Sequence, residues 1–340
     1  MKKRIEWIDS LKGLGIFYVV FAHLSPNMAL EKYIFSFHMF LFFTLSGFLH
    51  RKTMMPLAAY IVHKAKSLMI PFAFWNFCAT IISLFVNEDT ADVISRFFTI
   101  NGEFCWNRPI WFLPALFFTD VIYQCLDKYL PRGKTIILLA MPFLWYALDG
   151  AKLFLKIDMV PIALVFYWVG TLLKKMTEHP EVLKKKQGII AAVLPICAVT
   201  HIMFGVCLNG RISYTGSDFD NYFYCFLAGI AGVLFYIFLF WTIRPSKVLS
   251  ALGKNTLFIV CSHYWILTVA SAISKKFFDY DVWHARGTLK ALVVSVSLLL
   301  ITWGMLSVFL KLCRKIPWLK NTAVFLGISM NEKEIISAGR

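Results

Sequence analysis

The stretch IDSLKGLGIFYVVFAHL (residues 8–24) decides how the rest of the chain is interpreted. It is apolar enough for a membrane-spanning helix, yet it carries Lys12 near one end and His23 near the other. An α-helix turns by about 100° per residue, so both side chains fall on one face, about 16 Å apart along the axis. Because ionisable groups are costly in the hydrocarbon core, a shared face of this kind indicates a functional site.

The composition extends the membrane interpretation to the whole chain. Of the 340 residues, 59% are hydrophobic and only 16% are charged, and the apolar residues occur in long runs. These features predict an all-α, polytopic membrane protein with about ten transmembrane helices. The expected spans are 8–25, 33–50, 67–86, 110–127, 134–149, 158–174, 188–208, 222–243, 255–274 and 289–312.

The distribution of basic residues predicts the orientation. If the amino-terminal MKKR is cytoplasmic and the spans alternate, most Lys and Arg residues fall in cytoplasmic segments, as the positive-inside rule requires. This rule accounts for the net charge of +16, so nucleic-acid binding is not needed to explain it. Both termini are therefore expected in the cytoplasm.

Ionisable side chains inside the predicted spans are the first candidates for a site. They are Lys12, His23, His38, Asp120, His201 and His263. His23 and His38 fall in the outer halves of consecutive spans and could be neighbours. A desolvated imidazole near a cation is expected to stay neutral, which makes His23 a competent general base. For His201 a hydrogen-bonded structural role is expected, and an interfacial ion pair with Asp9 is the alternative for Lys12.

Other common chemistries lack their sequence signatures. The chain has no GxSxG, GxxxxGK[ST], GxGxxG or HExxH motif. Its eight cysteines are scattered singly without a CxxC pair, so neither a disulfide nor a metal site is predicted. The long outer loops, 86–109 and 209–221, could meet a polar substrate or be plain solvent-exposed connectors.

Two function classes without catalysis also fit this pattern. Intramembrane His, Lys and Asp residues are equally natural in a secondary transporter of a small polar solute. A structural partner within a polysaccharide export complex would carry the same histidines as inert core residues. Paired Gly or Pro breaks at mid-membrane in corresponding spans, typical of transporters, are not evident here.

Six segments, taken in order, resemble the signature segments of the acyltransferase 3 family and in particular its fucose 4-O-acetylase-like branch. They extend from residue 7 to about residue 267 and so cover most of the chain. The ordered set carries the resemblance, because no single segment is specific. The segments are WIDSLKGLGIFYVVFAHL, FHMFLFFTLSGFL, YIVHKAKSLMIPFAFWN, PIWFLPALFF, FYWVGTLLKK and LGKNTLFIVCSHYWIL.

The resemblance implies an activity and a domain organisation. It implies one acyltransferase 3 transmembrane domain over residues 1–320, followed by a cytoplasmic tail over 321–340. Members of this family move an acyl group, usually acetyl, from cytoplasmic acetyl-CoA or another acyl-CoA to a hydroxyl of a cell-surface or exported carbohydrate. The protein is then expected in the bacterial cytoplasmic membrane, with no metal.

The resemblance also implies roles for individual histidines. Lys12 and His23 match the basic residue and the essential histidine of the family's first helix, and His38 and His263 match histidines of its later segments. We hypothesise that His23 removes the proton of the acceptor hydroxyl and that His38 orients His23 or acts as a relay. Lys12 would hold the donor or order its entry, and His263 would contribute to substrate binding. Direct transfer and an acyl-enzyme relay both remain open.

A basic cluster before the third predicted span is the expected donor site. The family's cluster, often rich in arginine, falls here on His63, Lys64 and Lys66. Lys64 and Lys66 are expected to attract the CoA phosphates as point charges rather than as bidentate forks.

Overall fold

The computed structural model describes residues 5–24, 27–85, 107–177, 187–279, 282, 287–316 and 318–328. Within these ranges the chain is almost entirely helical, and its extended pairing is an isolated bridge between Ser213 and Asp218. The α-helices are α1 (Glu6–Ala22), α2 (Met28–Phe35), α3 (His38–Leu49), α4 (Leu57–Phe85), α5 (Phe112–Tyr129), α6 (Lys134–Ala147), α7 (Val160–Thr177), α8 (Gln187–Ile202), α9 (Tyr222–Thr242), α10 (Lys247–Lys254), α11 (Thr256–Phe278), α12 (Thr288–Lys315) and α13 (Leu319–Leu326).

Among the described residues, seven helical segments are long and apolar enough to cross a membrane. Each coincides with one of the ten predicted spans, so the chain is a multi-pass helical membrane protein. The seven segments are Met28–Leu49, Arg108–Tyr129, Phe154–Thr177, Gln187–Leu208, Tyr222–Thr242, Thr256–Phe278 and Thr288–Lys315.

The other three predicted spans are helices that fall outside this set. Helix α1 has 17 residues and includes Glu6, Asp9 and Lys12, while α6 has 14 residues. Helix α4 has 29 residues but carries basic side chains in its first third. The count of ten spans and the cytoplasmic termini therefore stay predictions.

Two of the segments named above lie partly outside the described residues. They are the first long outer loop, of which 86–106 is not described, and the predicted tail, of which 329–340 is not described. The start of that tail belongs to α13, which packs on α4 through Phe325 and Phe74, whose ring centroids lie 5.9 Å apart.

Helix α1 is enclosed by protein rather than by lipid. Leu11 and Ile16 are fully buried, and the α1 backbone touches that of α10. A Cβ atom added at Gly253 would lie 1.7 Å from the carbonyl oxygen of Asp9, and the Ser10 hydroxyl donates to the Ser246 carbonyl at 3.1 Å. This contact fixes the axial position of α1, and with it the height of His23.

Helices α3 and α7 pack with similarly close backbones. A Cβ atom at Gly170 would lie 2.0 Å from the carbonyl oxygen of Thr44, and one at Gly47 would lie 1.9 Å from that of Tyr167. Small residues of this kind allow membrane helices to approach closely. The contact matters for function because α3 lines both cavities described below.

We expect Gly170→Ala to lower the free energy of unfolding by about 1–3 kcal/mol, because the new methyl group must push the α3 backbone away. The measurement is thermal unfolding of the purified protein in detergent. Gly304→Ala is the matched control, since a Cβ atom there meets nothing within 4 Å. Equal melting temperatures for Gly170→Ala and the control would contradict this packing.

Candidate active site

The end of α1, the start of α3 and the first half of α11 enclose a cavity of about 170 Å³ together with loop 209–221 and the 3₁₀ turn Arg108–Trp111. We call it the histidine cavity. Its polar wall includes His23, His38, Arg108, Arg211, Ser213 and Tyr264. Its remaining wall is mainly aromatic and aliphatic, as is usual for a small-molecule site.

Three of the histidines predicted from the sequence converge at this cavity. The ring of His23 stacks on that of His263, with centroids 5.6 Å apart and planes inclined by 30°. The ring of Phe35 contacts both His23 and His38, at 6.1 and 5.2 Å between centroids. His23 and His38 line the cavity, whereas His263 is fully buried behind His23.

Backbone carbonyls orient two of these rings. The Nδ1 atoms of His38 and His263 lie 2.8 Å from the carbonyl oxygens four residues earlier, Ile34 and Ile259. Since a carbonyl only accepts, Nδ1 carries the proton and Nε2 keeps its lone pair in the neutral ring. His23 has a looser partner, the Tyr264 hydroxyl at 3.5 Å from Nδ1, so ring contacts mainly position it.

Loop 209–221 forms one wall of the histidine cavity through residues 211–215. The ring of Tyr214 stacks on Trp111, with centroids 5.6 Å apart, and its hydroxyl donates to the Phe35 carbonyl at 2.5 Å. Burial raises the pKa of Tyr214 well above its usual value, so this donor stays protonated. The loop is therefore a folded part of the site.

A second cavity, of about 410 Å³, lies at the opposite end of α3. We call it the lysine cavity. Its charged and polar wall includes His50, Arg51, His63, Lys64, Asp120 and Tyr167.

A buried carboxylate organises the lysine cavity. Asp120 forms an ion pair with Lys64 and accepts a hydrogen bond from the Tyr167 hydroxyl. His50 Nδ1 lies 3.0 Å from the same hydroxyl oxygen, which accepts its proton. The ion pair with Asp120 offsets the charge of Lys64. Arg51 adds a second cation to this wall, and its planar guanidinium group can form bidentate hydrogen bonds.

One helical turn separates the two cavities. On α3, Phe42 lines the histidine cavity and Ser46 lines the lysine cavity. On α5, Phe112 lines the histidine cavity and Leu116 lines the lysine cavity. Four residues of helix span about 6 Å. The rings of Phe42 and Phe112, 5.8 Å apart, lie at this boundary, and a Cβ atom at Gly15 would come within 2.9 Å of Phe42.

The other predicted site residues are more dispersed. Lys64 lines the lysine cavity, whereas Lys66 is exposed on the same helix and is not part of its described wall. Lys12 is half-buried on α1 and belongs to neither described cavity wall. His201 lies outside both walls, with Nδ1 2.9 Å from the Ala228 carbonyl and Nε2 3.1 Å from that of Tyr33.

Sequence reasoning did not select several residues that the fold brings to these cavities. Tyr264 directly follows His263, His50 directly follows the quoted FHMFLFFTLSGFL, and Arg211 lies in the long outer loop, so each had a local signal. Arg108 and Tyr167 had none beyond their residue type.

The arrangement defines a class of protein, a multi-pass helical membrane protein with a histidine site among its spanning helices. A family model for an acyltransferase domain of the acyltransferase 3 type matches residues 5–309. The chain therefore belongs to this family and is a membrane acyltransferase, which confirms the family resemblance; the fucose 4-O-acetylase-like branch stays a prediction. Comparisons with curated proteins and with solved structures give no match. Among the described residues, no group of three or more His, Cys, Asp or Glu side chains is arranged to hold a metal ion.

Proposed function

We propose that this acyltransferase moves an acetyl group from cytoplasmic acetyl-CoA to a hydroxyl of a cell-surface or exported carbohydrate. The observation that carries the proposal is the pair of cavities with polar walls, which lie at opposite ends of α3 and are separated by a single helical turn. Separate cavities give the donor and the acceptor their own entrances, and the short boundary lets their reacting groups meet.

The lysine cavity suits the donor. Lys64, Arg51 and His63 line it, and cations at a cavity wall concentrate phosphate groups by electrostatic attraction. Lys66, exposed on the same helix, would add to this attraction at longer range. The positive-inside distribution of the basic residues supports a cytoplasmic location for this end. The family resemblance implies that the membrane is a bacterial cytoplasmic membrane.

The pantetheine arm would then extend past the boundary between the cavities. The rings of Phe42 and Phe112 are in contact at this boundary and would have to move apart, so a small acyl group such as acetyl would need the smallest opening. Lys12, on the helix that carries His23, would help to order the donor's entry. The thioester carbonyl would arrive beside His23.

At His23 the transfer can proceed in one step within a ternary complex. His23 takes the proton of the acceptor hydroxyl, whose oxygen attacks the thioester carbonyl while the carbon–sulfur bond breaks. The proton then passes from His23 to the leaving thiolate, giving an ester and free CoA. His263, stacked on His23, and His38, linked to it through Phe35, hold the base in place.

Purified protein in detergent should therefore release CoA from acetyl-CoA in the presence of a carbohydrate acceptor, with one ester formed per thiol released. Mass spectrometry of both products is the suitable measurement, because the exposed free thiol of Cys207 would react with thiol reagents. Failure to release CoA with any acceptor, together with counterflow of a solute in vesicles, would contradict the proposal and favour transport.

A further inference from the structure

The described wall of the histidine cavity carries positive charge, and we call the part of this wall that contains Arg108 and Arg211 its mouth. Among the described residues, Arg108 and Arg211 are the Lys, Arg, Asp or Glu side chains that line it. Both guanidinium groups are close enough to His23 to act on it electrostatically. A general base needs no such pair of cations, so their presence calls for another explanation.

Arg211 is held next to the reacting centre by an aromatic ring. Its guanidinium carbon lies 5.9 Å from the centroid of Phe35, the ring that also contacts His23 and His38. A group bound to Arg211 is therefore separated from His23 and His38 by about the width of the Phe35 ring. Arg108 approaches from the other wall, at the start of the turn Arg108–Trp111.

The charge of Arg211 is only partly compensated. Its Nε lies 2.9 Å from Glu31 Oε2; the carboxylate side chain is 8% exposed, whereas that of the arginine is 56% exposed. This bond engages one of the five guanidinium hydrogens, and it fixes the orientation of the planar group. With two arginines and one glutamate among the described residues, this part of the cavity keeps a net positive charge.

We infer that the acceptor is an anionic carbohydrate, whose carboxylate or phosphate group binds Arg211 and Arg108 while a neighbouring hydroxyl reaches His23. Guanidinium groups bind carboxylates and phosphates through charge-assisted, often bidentate hydrogen bonds. The CoA phosphates have their own cations in the lysine cavity, one helical turn away. The inference rests on the proposed function, since it names the class of acceptor for that same site.

Matched acceptors test the inference. We expect kcat/KM for an oligosaccharide ending in a uronic acid, or in a hexose phosphate, to exceed that for the same oligosaccharide ending in a neutral hexose by at least about tenfold. Comparing the uronic acid with the phosphate identifies which anion the site prefers. Equal or better transfer to the neutral acceptor would overturn the inference while leaving the proposed function intact; no transfer to any of the three would instead count against the proposed function.

Variants connect this preference to the two arginines. Arg211→Met and Arg108→Met should bring the ratio of acidic to neutral kcat/KM close to one, with little change in KM for acetyl-CoA. Arg244→Met is the matched control, because Arg244 is an exposed arginine after α9 that lines neither cavity, and it should keep the wild-type ratio. If all variants remain folded and active, an unchanged ratio of acidic to neutral kcat/KM in both Arg211→Met and Arg108→Met would overturn the assignment.

Discussion

His23→Ala is expected to lower kcat for acetyl transfer by about 10²–10⁴-fold, the range that a positioned general base contributes. The side chain lines the histidine cavity at the end of α1, where ring contacts with His263 and Tyr264 position it. Its loss leaves the α1–α10 contact intact, so the variant should purify as a folded protein. The measurement is ester formation by purified protein at saturating acetyl-CoA, beside thermal unfolding of the same sample.

His201 provides the contrasting control. Both of its ring nitrogens face backbone carbonyls, and it lines neither cavity, so its role is structural. We expect His201→Asn to lose about 1–3 kcal/mol of stability, because a buried carbonyl loses its donor, while the folded fraction keeps its specific activity.

Retention of more than a few per cent of transfer by His23→Ala would remove His23 as the base.

The histidine cluster could be predicted from the sequence because it depends mainly on local geometry. Helical periodicity placed Lys12 and His23 on one face, and the short connection between two spans placed His38 near His23. The third member, His263, was a candidate as an ionisable residue in an apolar span, but only the family resemblance linked it to His23. Arg211 could not be assigned to the site, because its position depends on how loop 209–221 folds over Phe35, a contact between residues far apart in sequence.

The donor end shows a different limit of sequence reasoning. Lys64 was expected to offer its charge to a phosphate, but its ion pair with Asp120 joins residues on α4 and α5. Hydropathy marks Asp120 as unusual in an apolar span and places Lys64 in a basic cluster before the next one, without indicating that they are partners. Spacing on a single helix cannot reveal such a pair, whereas a three-dimensional structure reveals it directly.

Helix α1 is a predicted span that hydropathy describes poorly and that protein shields. Helix α1 keeps Glu6, Asp9 and Lys12 within 17 residues because α10 and α3 cover it. Hydropathy scales score the composition of a segment, and a helix surrounded by other helices does not need a lipid-like composition. The seven segments that match in full include lipid-length helices such as Gln187–Leu208 and Thr288–Lys315, which are only slightly buried by protein.

A buried charge cluster supports the wall of the histidine cavity from behind. Lys156 Nζ lies 2.7 Å from Asp158 Oδ2 and 2.5 Å from the Ser217 hydroxyl, which in turn donates to Asp158 at 2.8 Å. Lys156 is fully buried and Asp158 is 2% exposed. Lys156 and Ser217 also have positive φ angles of 56° and 53°, which non-glycine residues adopt only when their surroundings enforce them. The cluster therefore ties loop 209–221 to the segment Phe154–Met159.

Asp158→Ala is expected to lower the free energy of unfolding by about 3–5 kcal/mol, because it leaves the Lys156 ammonium buried without a counter-ion. Thermal unfolding in detergent measures this loss. The double variant Asp158→Leu with Lys156→Met should regain most of the lost free energy of unfolding, since apolar side chains of similar volume can replace a buried ion pair at little cost. The rescued double variant should still show a raised KM for the acceptor, because Ser217 then loses both partners and loop 209–221 loses its anchor, whereas KM for acetyl-CoA should not change. A melting temperature of Asp158→Ala equal to that of the wild type would show that the cluster does not hold the loop.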